Sequence, residues 1–402
     1  MIRRKFFIKL LCTMRLKGIN NIFVILFYIS GCGGSTQSDV LMHIDVTKKH
    51  PQKDLMLQSF MDVEYIALET TDEFVCQGIV LDIGKDIMLI KNQIRDGNIY
   101  IFDRKGNGLG KFNRMGRGGE EYVNISGAVL DEENEEIIVN DLSTRKILVY
   151  SLYGNFKRSF NHKEGANYNK ICNFNKENLI SHDGNTKNDE EINKQSFAVI
   201  SKQDGSVVFE IQIPFKHVKS TFLTIPNAPI NIPVGIGSPH FEIISHQGSW
   251  ILTEPSSDTI FRFFPDFSMS PFIVRTPSIQ SMSPEIFLFP SILTERYYFM
   301  ESVRKEYNFA TNTGFPKTHL MYDRKEQTTY ECAVFNDDFS IKSRVNMFNA
   351  STNNEIVFWQ KIEADDLFEA HEKGQLKGSL KEIAAELEKE SNPVIMLVRY
   401  KK

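Results

Sequence analysis

The loop 116–122 has a composition that could bind an anion. Its sequence, Gly-Arg-Gly-Gly-Glu-Glu-Tyr, places three glycines around Arg117, and glycines allow the positive φ angles that expose backbone amides. It is not a nucleotide-binding P-loop, because no Gly-Lys-Ser/Thr follows and a strand comes next. Two interpretations stay open. In the first, a ligand contacts Arg117, Glu121 and Tyr122. In the second, which we favour, Arg117 and Glu121 form an internal ion pair.

Two acidic loops share another pattern, Asp141-x-Ser143 and Glu254-x-Ser256. A carboxylate two residues before a serine is suited to closing a turn onto backbone amides, and this is the favoured interpretation. The alternative is a ligand-binding role for the polar residues of these loops, namely Asp141, Arg145, Glu254 and Asp258.

Motifs for metal or nucleophilic catalysis are missing from the sequence. The nine histidines show no H-E-x-x-H spacing, and neither C-x-x-C nor G-x-S-x-G occurs. We therefore predict no metal site and no cofactor, and we favour a protein that is not an enzyme. Calcium is expected only under an alternative in which Asp141, Glu254 and Asp258 converge on a central axis.

A repeated strand–turn–strand unit must position these loops. It occurs about six times, with copies that start at Ile99, Ile147, Phe197, Ile260, His319 and Ile395. Gly106 and Gly154 are 48 residues apart, and Gly205 follows 51 residues later. Repeats of this size, each with about four strands, predict an all-β, six-bladed β-propeller.

The two faces of such a propeller should differ. The loop between the second and third strands of a blade opens on the same face as the loop to the next blade. On this face we expect the longer loops, where binding usually resides: 113–123, 141–145, 161–169, 184–195, 214–240 and 254–258. The apolar segment 219–238 is expected either to line a ligand groove or to plug the central channel.

The ends of the chain are each incomplete as blades. Residues 393–400 form a third strand without a fourth, and residues 62–69 lack the three strands that should precede them. Pairing these strands would close the ring and remove two open edges. One amphipathic helix is predicted within 374–390, with its apolar face on the propeller: Leu376, Leu380, Ile383, Ala384 and Leu387.

The N-terminus has the pattern of a bacterial lipoprotein signal peptide. Six basic residues precede the apolar run 22–29, which is too short to span a bilayer. Ile29-Ser30-Gly31-Cys32 then resembles a lipobox, in which the cysteine receives the lipid; Met14 is an alternative start. We predict a signal peptide over 1–31, lipidated Cys32 and a polar tether over 32–55, and the propeller over 56–402. The protein is expected to be exported and anchored to the outer membrane, facing either the periplasm or the cell surface.

The mature chain would be acidic. It holds 41 basic and 51 acidic residues, because residues 1–31 contain six of the 47 basic residues and no acidic one. This balance disfavours nucleic acid, and it leaves the lipid as the only contact with the membrane. Cys76, Cys172 and Cys332 are widely spaced and odd in number, so we expect buried free thiols.

Two stretches resemble a known family. Residues 98–122 and 129–156 look like the six-bladed β-propeller lipoproteins of Bacteroidetes, relatives of NHL-repeat propellers, as do residues 257–261 and 391–397. The family loop reads G-R-G-P-G-E-Y, and in this chain Gly119 replaces its proline and Glu120 replaces the glycine that follows the proline. The resemblance implies a secreted, lipid-anchored propeller without an established activity.

Three functions are compatible with these features. We favour a non-catalytic binding or scaffolding lipoprotein that presents its long-loop face to a glycan, a peptide or an envelope protein. The alternative is a calcium-dependent, lactonase-like hydrolase with an axial site. The third is a purely structural component of the envelope.

Overall fold

Six sheets, each built on antiparallel strands, form the blades of a six-bladed β-propeller, which confirms the predicted fold. The structure is a computed structural model and describes residues 41–93, 95–184, 196–224, 233–235, 241–348 and 356–401. Cys32 and the signal segment 1–31 lie outside the described residues, as does most of the loop 184–195. Across the described residues, no helix is long and apolar enough to cross a membrane.

The strands follow in chain order. The chain starts with β1 (Met42–Asp45), β2 (Gln52–Met56) and β3 (Met61–Ala67). Blade 1 contains β4 (Ile79–Ile83), β5 (Ile87–Lys91), β6 (Asn98–Asp103) and β7 (Gly108–Asn113). Blade 2 contains β8 (Gly127–Asp131), β9 (Glu136–Asp141), β10 (Lys146–Ser151) and β11 (Phe156–Asn161). Blade 3 contains β12 (Tyr168–Asn173), β13 (Asn178–Asp183), β14 (Phe197–Ser201) and β15 (Val207–Ile211), and the small hairpin of β16 (Phe222–Thr224) and β17 (Pro233–Gly235) follows it.

The second half of the chain completes the ring. Blade 4 contains β18 (Ile243–His246), β19 (Ser249–Leu252), β20 (Thr259–Phe263) and β21 (Met269–Thr276). Blade 5 contains β22 (Ile286–Leu293), β23 (Tyr297–Arg304), β26 (Lys317–Asp323) and β27 (Thr328–Asn336). A hairpin of β24 (Tyr307–Asn308) and β25 (Thr313–Gly314) lies between its second and third strands, and the short strand β28 (Ser343–Arg344) follows its fourth strand. Within the described residues, blade 6 contains β29 (Ile356–Ile362) and β30 (Val394–Tyr400), with helices α1 (Ala364–Glu372) and α2 (Gly378–Ala384) between them, and β3 as its outer strand.

Every copy of the sequence repeat is the third strand of a blade, namely β6, β10, β14, β20, β26 and β30. The glycine after the first three copies lies in the turn to the fourth strand and has a positive φ, at +91°, +76° and +73° for Gly106, Gly154 and Gly205. A Cβ atom on Gly154 would lie 2.4 Å from the ring of Phe112 in the preceding blade. The regular spacing of these glycines therefore reflects a close approach between neighbouring blades.

The predicted ring closure is confirmed. Strand β3 pairs antiparallel with β30, from Met61 opposite Tyr400 to Ala67 opposite Val394. The N-terminal strand thus supplies the outer edge of the last blade, and two open edges are removed.

The chain before β3 also belongs to the propeller. Strand β1 pairs in parallel with β21 of blade 4, and β2 pairs in parallel with β27 of blade 5. Apart from Met56, these two strands lie within the segment predicted as a tether, 32–55, so the propeller begins near Leu41 rather than at residue 56. Covering the outer edges of two blades protects backbone groups that would otherwise be open to pairing.

The C-terminal insertion contains two helices where one was predicted. The amphipathic segment 374–390 is helical only over Gly378–Ala384, and α1 was not predicted. Gly374, which follows α1, and Gly378, the first residue of α2, have φ angles of +65° and +55°, so the chain cannot continue as one helix between them. The expected apolar face does pack on the propeller, since Leu380 and Ala384 are buried in one cluster with Met61.

The two faces differ as predicted. Connections between strands 1 and 2 and between strands 3 and 4 are short turns on one face, from two residues at 247–248 to five at 202–206. We call this the tight-turn face. The opposite long-loop face contains the connections 68–78 and 114–126, both small hairpins and both helices. Most of the apolar segment 219–238, predicted to line a groove or plug the channel, lies outside the described residues.

Candidate functional site

The glycine-rich loop 116–122 on the long-loop face is closed by its own carboxylate. Glu121 Oε2 accepts a hydrogen bond of 2.6 Å from the Gly118 amide, and a Cβ atom on Gly116 would lie 2.0 Å from the same oxygen. The loop amides thus already face an anionic group of the protein. No ion pair between Arg117 and Glu121 is present in the described part of the chain, so the favoured interpretation has the correct acidic residue but the wrong partner.

Tyr122 is a core residue and not a surface contact. Its ring is fully buried, and its hydroxyl donates to the Gly97 carbonyl at 2.6 Å and accepts from the Arg114 amide at 3.0 Å. Burial raises the pKa of Tyr122 to about 12. The role of Tyr122 is to fix the loop on blades 1 and 2, where the ring also packs edge-on against Tyr150.

Asp141 closes a turn, as the favoured interpretation predicted. Its side chain is fully buried, with Oδ1 accepting from the Ser143 amide at 2.9 Å and Oδ2 accepting from the Val123 amide at 2.7 Å. The carboxylate therefore joins two loops of the long-loop face. Arg145, at the end of the same turn, is exposed on that face and stays a candidate for ligand contact.

Glu254 and Asp258 have similar structural roles in blade 4. Glu254 accepts from the Ser256 amide at 3.2 Å and from the Ser196 hydroxyl at 2.7 Å, which joins blades 3 and 4. Asp258 accepts from the Ile279 amide at 2.6 Å and lies 3.5 Å from the Arg275 guanidinium. Hydrogen bonds within the protein thus occupy oxygens of all three predicted acids.

The titratable groups give no sign of a metal centre. In the ranges that the structure describes, no group of three or more His, Cys, Asp or Glu side chains could hold a metal ion. Cys76, Cys172 and Cys332 are buried free thiols, as predicted, and burial raises the pKa of Cys332 to about 12.

Blade 5 contains a cavity that the sequence did not predict. Strands β26 and β27 pair only as far as Leu320 opposite Glu331, and beyond this point they separate. The chain after β27 turns back into the gap, where Arg344 pairs with Phe335 and the Val345 amide donates to the Val334 carbonyl at 2.8 Å. A cavity of about 300 Å³ is left in this fork of blade 5.

The walls of the cavity are mainly apolar. Seven of its lining side chains belong to two core clusters, one that joins blade 5 to blade 6 and the helices and one shared with blade 4. They are Phe299, Leu320, Cys332, Val334, Val345, Met347 and Phe348. The polar lining side chains are His319, Cys332, Arg344 and Asn346. Nothing in the local pattern indicates this cavity, because it depends on where the chain returns after β27.

His319 connects the cavity to a buried acid. Its ring packs on Phe348 with centroids 4.9 Å apart, and its Nδ1 lies 3.5 Å from an oxygen of Glu301, which also pairs with Lys317 at 3.0 Å. Burial lowers the pKa of His319, so the imidazole is neutral at pH 7. Arg344 is exposed at the edge of the cavity.

Comparison with known proteins agrees with this architecture. Residues 34–358 match the sequence profile of the family DUF5128, described as a 6-bladed beta-propeller. The chain belongs to the DUF5128 family. No curated protein sequence shows significant similarity to this DUF5128 propeller.

Solved structures that are similar to this chain share little sequence identity with it, and one of them, from Bacteroides fragilis, shows the same fold. A Bacteroides fragilis protein named as an exported protein is 16% identical to this DUF5128 chain, with a TM-score of 0.60 over 90% of this chain and 100% of that one. A DUF4221 family member from Bacteroides vulgatus is 7% identical, with a TM-score of 0.45 over 86% and 100%. A streptogramin B lyase is 12% identical, with a TM-score of 0.33 over 70% and 94%.

Proposed function

We propose that this DUF5128 propeller is an exported lipoprotein, anchored through Cys32, that binds a partner on its long-loop face without catalysing a reaction. The partner classes that we consider are a glycan, a peptide or another envelope protein. The proposed location is the outer membrane.

The N-terminus supports the anchor. Basic residues, a short apolar run and small residues before Cys32 come in the order that lipoprotein signals require. Only the segment 33–40 would then separate the lipid from the propeller. Eight residues reach at most roughly 29 Å when fully extended, so the blades would stay close to the membrane surface.

The observation that carries the binding role is the difference between the two faces. One face has turns of two to five residues, whereas the other has connections such as 68–78 and 114–126. Long loops on a rigid scaffold cost little stability and are where binding residues are usually found. The carboxylates considered for an axial hydrolase, Asp141, Glu254 and Asp258, accept hydrogen bonds from the Val123 amide, the Ser196 hydroxyl and the Ile279 amide, which favours binding over hydrolysis.

The two ends of strand β10 lie on opposite faces of the propeller and allow the two faces to be compared. Arg145 precedes this strand on the long-loop face, and Tyr153 follows it on the tight-turn face with 88% of its surface exposed. A photo-crosslinking amino acid is placed at either position in the native cell, and the adducts are identified by mass spectrometry. We expect a specific adduct at 145 and none at 153. Equal adducts at both positions, or adducts only at 153, would contradict the proposed face.

A further inference from the structure

We propose that the fork of blade 5 binds a small organic carboxylate, with its apolar body in the cavity and its carboxylate on Arg344. This site differs from the loop surface proposed above for a larger partner.

The size of the cavity sets the class of molecule. Its volume of about 300 Å³ lies at the lower end of the range for small-molecule sites, and it equals the liquid volume of roughly ten water molecules. A single aromatic ring or a short alkyl chain with one polar group fits this space, whereas a folded segment or an oligosaccharide does not.

The lining favours an apolar body. Phe299, Val334 and Phe348 are each less than one-tenth exposed, and the remaining walls are mostly aliphatic or sulfur-containing. Removing an apolar surface from water into such walls is favourable, at roughly 25 cal/mol per Å².

The charge of the lining favours one anionic group. No acidic residue lines the cavity, and the lining histidine, His319, is neutral at pH 7 because burial lowers its pKa. The Cys332 thiol stays protonated, since burial raises its pKa to about 12. Arg344 therefore supplies the positive charge at the cavity.

The position of Arg344 favours a carboxylate. Its side chain is exposed at the cavity edge, and it forms no ion pair with the acidic side chains of the described residues. A guanidinium can donate two parallel hydrogen bonds to a carboxylate, which a single amide cannot reproduce. Asn346 also lines the cavity, and its Oδ1 accepts a hydrogen bond of 3.0 Å from the Phe348 amide.

The test uses residues 33–402, which include the whole unit 41–402 that contains all six blades. The probe is 4-(trifluoromethyl)benzoate, and its neutral isostere, 4-(trifluoromethyl)benzamide, is the comparison. Binding of each is measured by fluorine NMR titration. We expect the benzoate to bind at least tenfold more tightly than the amide.

Three variants locate the interaction. Arg344→Gln should reduce benzoate binding to the level of the amide. Arg304→Gln is the matched control, because Arg304 is an exposed arginine of blade 5 that does not line the cavity. Val345→Trp should fill the cavity and abolish binding of both probes, and its urea midpoint shows whether it folds.

Each other outcome overturns the proposal in a defined way. Equal binding of benzoate and amide, or no effect of Arg344→Gln, would show that the cavity does not recognise a carboxylate. Absence of binding by both probes would show that the cavity is not a site for this class of molecule. Neither result bears on the long-loop face, which the crosslinking experiment tests separately.

Discussion

Asn392→Ala should destabilise the junction where the ring closes. Asn392 is 2% exposed and lies two residues before the start of β30. Its amide donates to the carbonyls of Glu69 and Phe74 at 2.6 and 2.5 Å, and its oxygen accepts from the Cys76 amide at 2.8 Å. These three bonds hold the loop 68–78, which connects the last blade to the first.

The magnitude follows from the number and burial of these bonds. A buried partner left unsatisfied costs about 1–3 kcal/mol, so the three lost bonds amount to about 3–9 kcal/mol. Asn392→Asp should cost more than the alanine variant at pH 7, because a carboxylate would face two carbonyl oxygens.

Urea unfolding followed by tryptophan fluorescence measures this effect. The two tryptophans are Trp250 in blade 4 and Trp359 in blade 6, so a single-tryptophan version that keeps Trp359 reports on the closing blade. Asn107→Ala is the control, because Asn107 makes its side-chain bond to Asp103 on the exposed tight-turn face. The reasoning is refuted if Asn392→Ala is as stable as Asn107→Ala, or if the aspartate variant is no less stable than the alanine variant.

Three further variants test the roles of buried polar groups. Lys202→Met removes the partner of Asp131 in an ion pair of 2.5 Å whose members are at most 2% exposed, and should cost about 3–5 kcal/mol in urea unfolding. Tyr122→Phe removes one hydroxyl with two partners and should cost about 1–3 kcal/mol in the same assay. Burial lowers the pKa of His246 to about 3, below the roughly 6.5 of an unfolded chain. The unfolded chain then binds the extra proton, so stability should fall between pH 6.5 and 3, and His246→Phe should flatten this fall.

Exposed residues provide control substitutions for the lysine and tyrosine variants. Lys176→Met breaks an exposed pair with Glu133 and should change stability by less than about 1 kcal/mol. Tyr153→Phe alters an exposed tyrosine and should have no effect. If Lys202→Met matched Lys176→Met, or if Tyr122→Phe matched Tyr153→Phe, the burial argument would fail. An unchanged pH dependence in His246→Phe would remove that histidine as a cause of acid sensitivity.

The fold could be predicted because its signals are local. The third strands alternate apolar residues, and Gly106, Gly154 and Gly205 sit in turns that need a positive φ beside the preceding blade. Strands β1 and β2 could not be predicted, because their parallel partners lie more than 200 residues away and set no local pattern. The fork in blade 5 could not be predicted for the same reason, since it depends on where the chain returns after Asn336.

The candidate site was predicted only in part. The turn-closing roles of Asp141 and Glu254 follow from a local pattern of a carboxylate and a serine, and the structure confirms them. The burial of Tyr122 could not be read from a loop of glycines and charges, because it depends on packing between two blades. Glu121 was expected to pair with Arg117, whereas it accepts from the Gly118 amide, which no side-chain pattern indicates.

The central claim, that this propeller is an exported lipoprotein, is tested most directly by the mass of the mature N-terminal peptide. We predict a peptide that begins at Cys32 and carries a diacylglyceryl group. We also predict that the Cys32→Ala protein is unprocessed or soluble, whereas the Cys12→Ala protein behaves like the wild type. An unmodified Cys32 inside a longer peptide, or a Cys32→Ala protein that still partitions fully with membranes, would contradict it.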